Sequence, residues 1–528
     1  MNEREEFLRQ IIEHPDEDGP RLLYAGWLDE IGDPRGEFIC VQCEFAKSSR
    51  FEERYYDLRD RADELLEQFG QTWVGGYKPY LRAEFHRGFV HRAEIAGSDL
   101  LNATNLLRTE PVNHLVLTRD EHGRANPACA ALEYVRSLEL DYLKIPAEQW
   151  VALLESPWLR NLHALILPWG MSEYTADIGH ALGRCASAPK LRSVEIGGPM
   201  FVPDADEYLA AFCSGEGFPK LEHLSIGGYY NFGQRLTGLE QLKVPSLTSL
   251  RIGGDLSREA CEQLAKLPIS QLKQLRLFSS HRSAEGLQIL ADRGAFDALE
   301  LLDLFEVTLD DGGLEAIFRD QQLAHCTTLT ICPVDESVGS KLVQTLSSGR
   351  SLPALKALSL VDMSITESDV EALAQSPLRE SLRFLRMPTL NFPASAMLAL
   401  RGLVFPNLLC LDLTSSEGES SRPDSNGLAD LLTSAAFPKL RELRLGGYTE
   451  LASLLDAMAH RSQFPELRRM SFFDTGRSDQ SIRALLNSKR LPKLRLSLEI
   501  VRRERLDLRK EFGTRVTFPI WQGYTLDS

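Results

Sequence analysis

Five carboxylates lie close together near the N-terminus, at Asp16, Asp18, Asp29, Asp33 and Glu37. Such a group could bind a metal ion or do acid and base chemistry. The spacing lacks the alternating oxygen ligands of a calcium loop, however, and helix capping together with surface charge accounts for the same residues. We therefore predict a structural role for them and no metal site.

Cysteine and histidine also lack the spacing of a reactive centre. The nine cysteines are scattered, and the single close pair, Cys40 and Cys43, has no second pair to complete a zinc site. The eleven histidines are dispersed, and we find no phosphate-binding glycine loop and no nucleophile elbow. The sequence predicts buried thiols, no cofactor and no enzymatic activity.

The net charge of the chain limits the kinds of macromolecule that it can bind. The chain has 528 residues and a net charge of −16, and residues 1–70 hold 19 acidic and 9 basic side chains, a net −10. Nucleic acid is not expected as a partner because no basic surface is available to release counterions. The acidic first residues are unlike a secretory signal, and no apolar stretch has the length of a membrane span. We expect a cytoplasmic protein without membrane contact.

One spaced pattern dominates the rest of the chain: an aliphatic residue, two variable residues, an aliphatic, one variable residue and another aliphatic. Leu247 to Ile252 and Leu272 to Leu277 are two clear copies, and successive copies begin 23 to 32 residues apart. Fourteen copies begin at Val112, Val135, Leu162, Leu191, Leu221, Leu247, Leu272, Leu299, Cys326, Leu355, Leu382, Leu408, Leu440 and Leu467. This period is typical of a leucine-rich repeat array, an α/β solenoid.

The spacing within each copy predicts its structure. Alternation in the second half indicates a short strand with one buried face, and the residues that follow are enough for a returning helix. Stacked copies would form a curved parallel sheet of at least 13 strands inside and helices outside. Ser257, Ser283, Asp310 and Thr366 are predicted helix N-caps, and Thr366 with Asp369 has capping-box spacing. The repeat length resembles that of ribonuclease-inhibitor-type repeats.

The segment before the repeats has helical periodicity. It predicts a helix over residues 3–13, a second helix around Trp27 and another over residues 51–69, with residues 89–95 as the first strand. Four large side chains fall on the expected inward faces and are predicted to be buried: Phe7, Leu23, Trp27 and Phe38. We expect Arg21 and Arg35 to pair with the nearby carboxylates.

This segment resembles the bacterial repeat-companion domain. The similar residues run from Arg21-Leu22-Leu23-Tyr24-Ala25-Gly26-Trp27-Leu28 to Gly32-Asp33-Pro34-Arg35-Gly36-Glu37-Phe38-Ile39, within residues 3–46. Gly26 stands where the family usually has Asp. The resemblance implies a short N-terminal module ahead of repeats and no particular chemistry. We expect a small all-α module over residues 1–80, a solenoid over 81–500 and a C-terminal cap over 501–528.

The variable positions of the repeats decide what such an array binds. The fifth position carries both charge signs, which is compatible with a self-neutralising ladder or with a binding patch. Glycine pairs follow three consecutive copies, at 197–198, 227–228 and 253–254, either as turns or as a strip cleared for a partner. The predicted partner-binding residues around that strip are Trp169, Tyr229, Tyr230, Arg251, Arg276, Phe278 and Asp303.

These observations favour a non-enzymatic scaffold that binds a protein on the concave face of the array. Two other functions stay open. The array could inhibit or regulate an enzyme of the GTPase or nuclease type, or the chain could be an adaptor whose N-terminal module docks on a common machine.

Overall fold

The computed structural model describes residues 3–74, 82–118, 130–141, 145–167, 175–197, 205–227, 236–254, 256–278, 284–319, 322–348, 352–387, 404–414, 425–434, 436–445, 451–474, 479–500 and 506–517. The chain divides into two compact units, Met1–Phe296 and Asp297–Ser528.

Unit 1 begins with four helices and continues with strands that alternate with helices. Its described helices are α1 Glu3–Glu13, α2 Gly19–Glu30, α3 Arg35–Phe45, α4 Glu53–Val74, α5 Thr104–Thr109, α6 Ala147–Leu154, α7 Ala176–Gly183, α8 Ala205–Cys213, α9 Arg258–Leu264 and α10 Ala284–Asp292. Its strands are β1 Arg82–His86, β2 Phe89–Ala96, β3 His114–Thr118, β4 Ser137–Asp141, β5 Ala164–Leu167, β6 Ser193–Ile196, β7 His223–Ile226, β8 Ser249–Gly253 and β9 Gln274–Phe278.

The four N-terminal helices pack around aromatic side chains. Tyr24 and Phe38 are fully buried, and Phe7 and Trp27 are half-buried beside Tyr24. Leu23 is 70% exposed, so its predicted burial is wrong. The inward face of α2 follows the helical period through residues 21, 24, 25 and 28, and Leu23 lies one position outside it.

Strands β2 to β9 form a parallel ladder in chain order, and β1 pairs antiparallel with β2. In a typical copy, β6, the residues from Ser193 to Ile196 alternate between half-buried and buried. The leucines of neighbouring copies are in register: Leu224 pairs with Leu250, which pairs with Leu275. The predicted inward and outward positions are therefore confirmed from β4 to β9, whereas the fifth position of β3, Val116, is buried at 1% exposure.

Unit 2 has the same alternation of strand and helix. Its described helices are α11 Asp311–Ile317, α12 Gly339–Ser347, α13 Glu367–Gln375, α14 Leu378–Ser381, α15 Ser425–Leu432, α16 Leu451–Arg461, α17 Asp479–Leu486 and α18 Leu506–Phe512. Its strands are β10 Leu301–Val307, β11 Thr328–Pro333, β12 Ala357–Leu360, β13 Phe384–Arg386, β14 Cys410–Leu413, β15 Glu442–Leu445, β16 Arg469–Asp474, β17 Arg495–Ile500 and β18 Val516–Thr517. These strands pair parallel in chain order.

Helix starts agree with the predicted caps. Ser257 accepts a hydrogen bond from the Ala260 N–H, and Asp310 accepts one from the Gly313 N–H. Thr366 and Asp369 form the reciprocal capping box. Ser283 lies outside the described residues.

The predicted fold class is confirmed. Each of the fourteen sequence copies contains one strand, seven in unit 1 from β3 to β9 and seven in unit 2 from β10 to β16. Parallel strands alternate with helices within each unit, and a small all-α module precedes the first strand. This is the leucine-rich repeat arrangement. The division at residues 80 and 500 stays a prediction.

Candidate functional site

The strand face of unit 1, defined as the surface that carries the third and fifth positions of β3 to β9, holds the predicted site. Strand register places Ser225 beside Arg251 and Arg251 beside Arg276. Glu195 is one strand before Ser225 in the same row. All four side chains are half-buried, so this row runs from an acidic to a basic end on an accessible surface.

Arg251 is held by an aromatic ring at the end of this row. Its guanidinium carbon lies 4.8 Å from the ring centre of Phe278. Phe278 is only 4% exposed, so its ring supports the arginine more than it presents an aromatic surface. A cation held over a ring in this way loses little freedom when a partner binds.

The glycines at this end of the ladder make turns. Gly227 and Gly254 have φ angles of +77° and +146°, which side chains rarely adopt, and the Gly254 N–H donates to the Phe278 carbonyl at 2.8 Å. The backbone turn is thus one reason for glycine here. Gly198 and Gly228, the second members of the other two pairs, lie outside the described residues.

The predicted partner-binding residues also include Trp169, Tyr229, Tyr230 and Asp303. Trp169, Tyr229 and Tyr230 lie outside the described residues. Asp303 belongs to unit 2 and is 3% exposed. The binding role of all these residues stays a prediction.

Four of the seven fifth positions in unit 2 are buried, compared with one of the seven in unit 1. Thr330, Ser359 and Asp412 have exposures of 7%, 5% and 3%. Asp412 lies 3.7 Å from Arg386 and 3.9 Å from Arg444, and it accepts hydrogen bonds from Thr414. Arg444 also pairs with Glu442 at 3.0 Å. Two carboxylates and two arginines thus balance each other, which agrees with the self-neutralising ladder, one of the two alternatives.

A second paired cluster occupies β2 to β4. Glu139 accepts a hydrogen bond of 2.7 Å from His114 and one of 3.3 Å from Arg92. Burial raises the pKa of the Glu139 carboxyl, but His114 and Arg92 together outweigh burial and hold that pKa below its ordinary value. The Glu139 carboxylate is therefore already hydrogen-bonded to His114 and Arg92.

The N-terminal helices are joined to the first strands by a buried ion pair. Arg35 on α3 lies 2.9 Å from Glu110, with side-chain exposures of 5% and 7%. The same guanidinium donates to the Gly88 carbonyl at 3.3 Å and lies 4.8 Å from the ring centre of Phe89. We expected Arg35 to pair with the carboxylates close to it in the sequence. It pairs with Glu110 instead.

Gly88 fits closely against α3 at this junction. Its φ is +86°, and an added Cβ would come within 2.2 Å of Ile39. Its N–H donates to the Gln42 side chain at 2.7 Å. Arg87 also has a positive φ, of +51°, so residues 87 and 88 make the tight turn between β1 and β2. Only glycine allows the strands to approach α3 this closely.

Three of the five carboxylates that suggested a metal or acid–base site have structural partners. Asp18 lies 2.7 Å from Lys47 and 3.5 Å from Arg87, and Asp33 accepts the Arg35 backbone N–H at 2.9 Å. Glu37 pairs with Arg61 at 2.7 Å. Across the described ranges, no group of three or more His, Cys, Asp or Glu side chains could hold a metal ion.

In the close cysteine pair, Cys43 is buried as predicted, whereas Cys40 is exposed. Burial is the main cause that raises the pKa of the Cys43 thiol to about 12, and burial also raises the pKa of Cys40. A thiol with a raised pKa is a poor nucleophile at neutral pH.

Comparisons with known proteins identify no relative that would name a function. No protein-family model matches the chain, and no curated protein matches it. Among solved structures the chain is similar to one in the Toll–Spatzle complex, described as a molecular hub in Drosophila development and innate immunity. The identity is 12% and the TM-score is 0.28, and the match covers 78% of this chain and 54% of that chain. The present chain thus spans about half the length of that chain, and the fold assignment rests on the strand register alone.

Across the described ranges, no helix is both long enough and apolar enough to cross a membrane.

Proposed function

We propose that this chain is a cytoplasmic, non-enzymatic scaffold that binds a protein partner on the strand face of unit 1. The observation that carries the proposal is the difference between the two rows of fifth positions. Arg251 and Arg276 are half-buried on neighbouring strands. In unit 2, Asp303, Thr330, Ser359 and Asp412 are buried, and the half-buried Arg386 and Arg444 lie beside Asp412. Arginine is enriched among the residues that dominate protein-binding energy.

The charge along the unit 1 row suggests the chemistry of the partner. Glu195 lies at one end and Arg251 with Arg276 at the other, on strands that follow one another. A partner surface with acidic groups opposite the arginines would be complementary, and such complementarity mainly favours specificity and fast association. The Phe278 ring beneath Arg251 would reduce the entropy cost of ordering that side chain.

The cysteines support a reducing compartment. Eight cysteines fall in the described ranges, all eight are free thiols, and seven of these are buried. Disulfides persist mainly in secreted proteins, so buried free thiols are typical of a cytoplasmic protein.

Capture from a lysate of the source organism tests the proposed face. The tagged full chain and the variant Arg251→Ala with Arg276→Ala would be compared, with bound proteins identified by mass spectrometry. We expect the variant to lose its main partner, because each hot-spot arginine commonly contributes about 2 kcal/mol or more.

A matched control is Arg184→Ala with Arg293→Ala, which removes the same charge at two exposed positions away from the strand face. The control should capture the partner at the original level. Equal capture by both variants would contradict the proposed face. The thermal midpoint of each variant confirms that the fold is retained.

The adaptor function is a second candidate, favoured by exposed apolar residues on and beside α2. Leu22, Leu23 and Ile31 are 43%, 70% and 59% exposed. We propose that residues 3–46 are a bacterial repeat-companion module and that these residues contact a partner of its own. Leu22→Gln with Leu23→Gln should then remove proteins that the arginine variant still captures. Loss of the same proteins from both variants would argue against two separate partners.

A further inference from the structure

Basic residues form a row at the N-terminal ends of the neighbouring strands β4, β5 and β6. Arg136, His163 and Arg192 each come directly before one of these strands. The His163 N–H donates to the Arg136 carbonyl at 2.6 Å, and the Arg192 N–H donates to the His163 carbonyl at 2.7 Å. The three residues are therefore neighbours on adjacent strands, about 4.8 Å apart from one strand to the next.

This row lines a cavity at the edge of the ladder, next to α1. The cavity has a volume of about 460 Å³, and we call it the entry-edge pocket. It is lined by Ile12, Glu133, Tyr134, Arg136, Asn161, His163, Lys190, Arg192 and Lys220. Small-molecule sites in proteins commonly have volumes of about 300 to 1,000 Å³. All nine residues belong to unit 1.

Positive charge in the entry-edge pocket exceeds negative charge. The lining holds four cations, Arg136, Lys190, Arg192 and Lys220, and one carboxylate, Glu133, which is already paired with Arg160. The lining is thus net +3 with His163 neutral, in a chain of net charge −16. Like charges are unfavourable at this proximity unless solvent or a bound anion screens them.

The pocket arginines have no partner in the described part of the chain. No side-chain hydrogen bond or ion pair joins Arg136, Arg192 or Lys220 to any described residue, while the Lys190 ammonium donates to the Asn161 side chain at 3.1 Å. Arginine and lysine elsewhere in unit 1 commonly have carboxylate partners, as Arg35 and Lys47 do. The donors of the pocket are therefore available to a ligand.

His163 contributes a neutral ring to this arrangement. Burial, followed by the charges of Arg136 and Arg192, lowers the pKa of the imidazole below its ordinary value. Its Nδ1 lies 2.9 Å from the Asn161 carbonyl, which fixes the ring orientation. The positive charge at neutral pH thus comes from arginine and lysine.

We propose that the entry-edge pocket binds a small organic molecule with two or more anionic groups, of the nucleoside polyphosphate type. Arginine guanidinium groups match the geometry of phosphate and carboxylate oxygens, and two of them on strands two apart suit a ligand with more than one such group. Ile12 and the 40% exposed ring of Tyr134 supply apolar surface for the organic part of the ligand. This pocket is separate from the proposed partner face, since none of its lining residues belongs to the row of Arg251 and Arg276.

Isothermal titration of the full chain tests the proposal with three probes: ATP, pyrophosphate and citrate, each without metal and at about 0.15 M salt. We expect ATP to bind with a Kd below about 1 mM and more tightly than pyrophosphate, because the base adds contacts with Tyr134 and Ile12. Citrate tells apart the two sources of anionic oxygen. Tightest binding of citrate would assign the same pocket to a polycarboxylate and overturn the phosphate preference.

The variant Arg136→Gln with Arg192→Gln should weaken ATP binding at least about tenfold, because two charge-assisted contacts are lost. Lys220→Gln should weaken it about threefold or more, which provides a second test with a single change. The control Arg184→Gln with Arg293→Gln removes the same net charge at exposed positions outside the pocket and should leave the Kd within about twofold.

Two results would overturn the proposal. One is the absence of binding by all three probes at concentrations of about 5 mM, well above the expected Kd. The other is an equal loss of affinity in the pocket variant and the control, which would assign any binding to the overall charge of the chain.

Discussion

The N-terminal helices meet the first repeats at two places. Positive charge is buried and paired at one of them and open to solvent at the other. At the junction of α3 with β1 and β2, Arg35 is buried and its guanidinium contacts Glu110, the Gly88 carbonyl and the Phe89 ring. At the entry-edge pocket beside α1, four cations surround a cavity with one carboxylate. The first arrangement satisfies a buried charge, and the second leaves charge open to solvent.

This difference helps to distinguish residues that stabilise the fold from residues that are available to a ligand. A buried charge without a partner costs several kcal/mol, so burial is tolerated only with complete pairing. An exposed cation is solvated and costs little, so selection for stability gives no reason to concentrate four of them around one cavity. Substitutions in the two regions should accordingly change the free energy of unfolding by different amounts and with opposite signs.

The largest change in the free energy of unfolding is expected from Arg35→Met. It leaves Glu110 buried without its cation, and breaking such a pair typically costs about 3 to 5 kcal/mol. Urea denaturation should report this loss, and adding Glu110→Leu should restore a large part of it. Arg61→Met breaks the exposed pair with Glu37 and should change the free energy of unfolding by less than about 1 kcal/mol. Similar losses in Arg35→Met and Arg61→Met would remove the distinction between buried and exposed pairs.

An intermediate effect is expected from pH at the junction. Burial, followed by the charges of His86, His114, Arg21 and Arg87, lowers the pKa of His91 from 6.5 to about 4. The unfolded chain therefore takes up a proton at higher pH than the folded chain, so acid favours unfolding. Stability should fall between pH 6.5 and about 4, by up to about 3 kcal/mol from this group, and its contribution should level off below pH 4.

The variant His91→Gln should reduce the slope of the free energy of unfolding against pH in this range. A slope that is equal in the wild type and His91→Gln would mean that other groups cause the acid sensitivity.

The smallest effect should have the opposite sign. Arg136→Gln with Arg192→Gln relieves repulsion in the entry-edge pocket and should stabilise the ligand-free protein by up to about 1 kcal/mol at low salt. The gain should shrink as salt rises, since screening already weakens the repulsion. Thermal unfolding at several salt concentrations measures it. Destabilisation by this variant would mean that the two arginines support the fold as Arg35 does.

The helices and strands followed from the sequence where the local signal was strong. Residues 3–13 form α1 as predicted, and the caps at Ser257, Asp310 and Thr366 hold their helices. The predicted strand over residues 89–95 is β2, but its partner β1 was missed. The signal that could have found it is Arg87-Gly88, a two-residue turn with glycine between alternating residues.

Local periodicity was insufficient where a contact depends on distant residues. Leu23 fits a helical pattern but lies outside the face of α2 that its neighbours bury. Arg35 has several carboxylates close in sequence, yet it pairs with Glu110, 75 residues away. Nothing near Arg136, His163 or Arg192 in the sequence signals a pocket, because these residues are 27 and 29 positions apart and become neighbours only through strand register.

The sequence by itself determined the repeat fold of this protein, because leucine spacing sets which positions each copy must bury and every copy repeats the same choice. The tertiary structure alone decided which polar side chains are buried, paired or open. The fifth positions follow one sequence pattern throughout, but Arg251 and Arg276 are accessible while Asp303 and Asp412 are buried. The physical reason is that a side chain's exposure and charge partners depend on what packs against it, and residues far away in the chain provide those contacts.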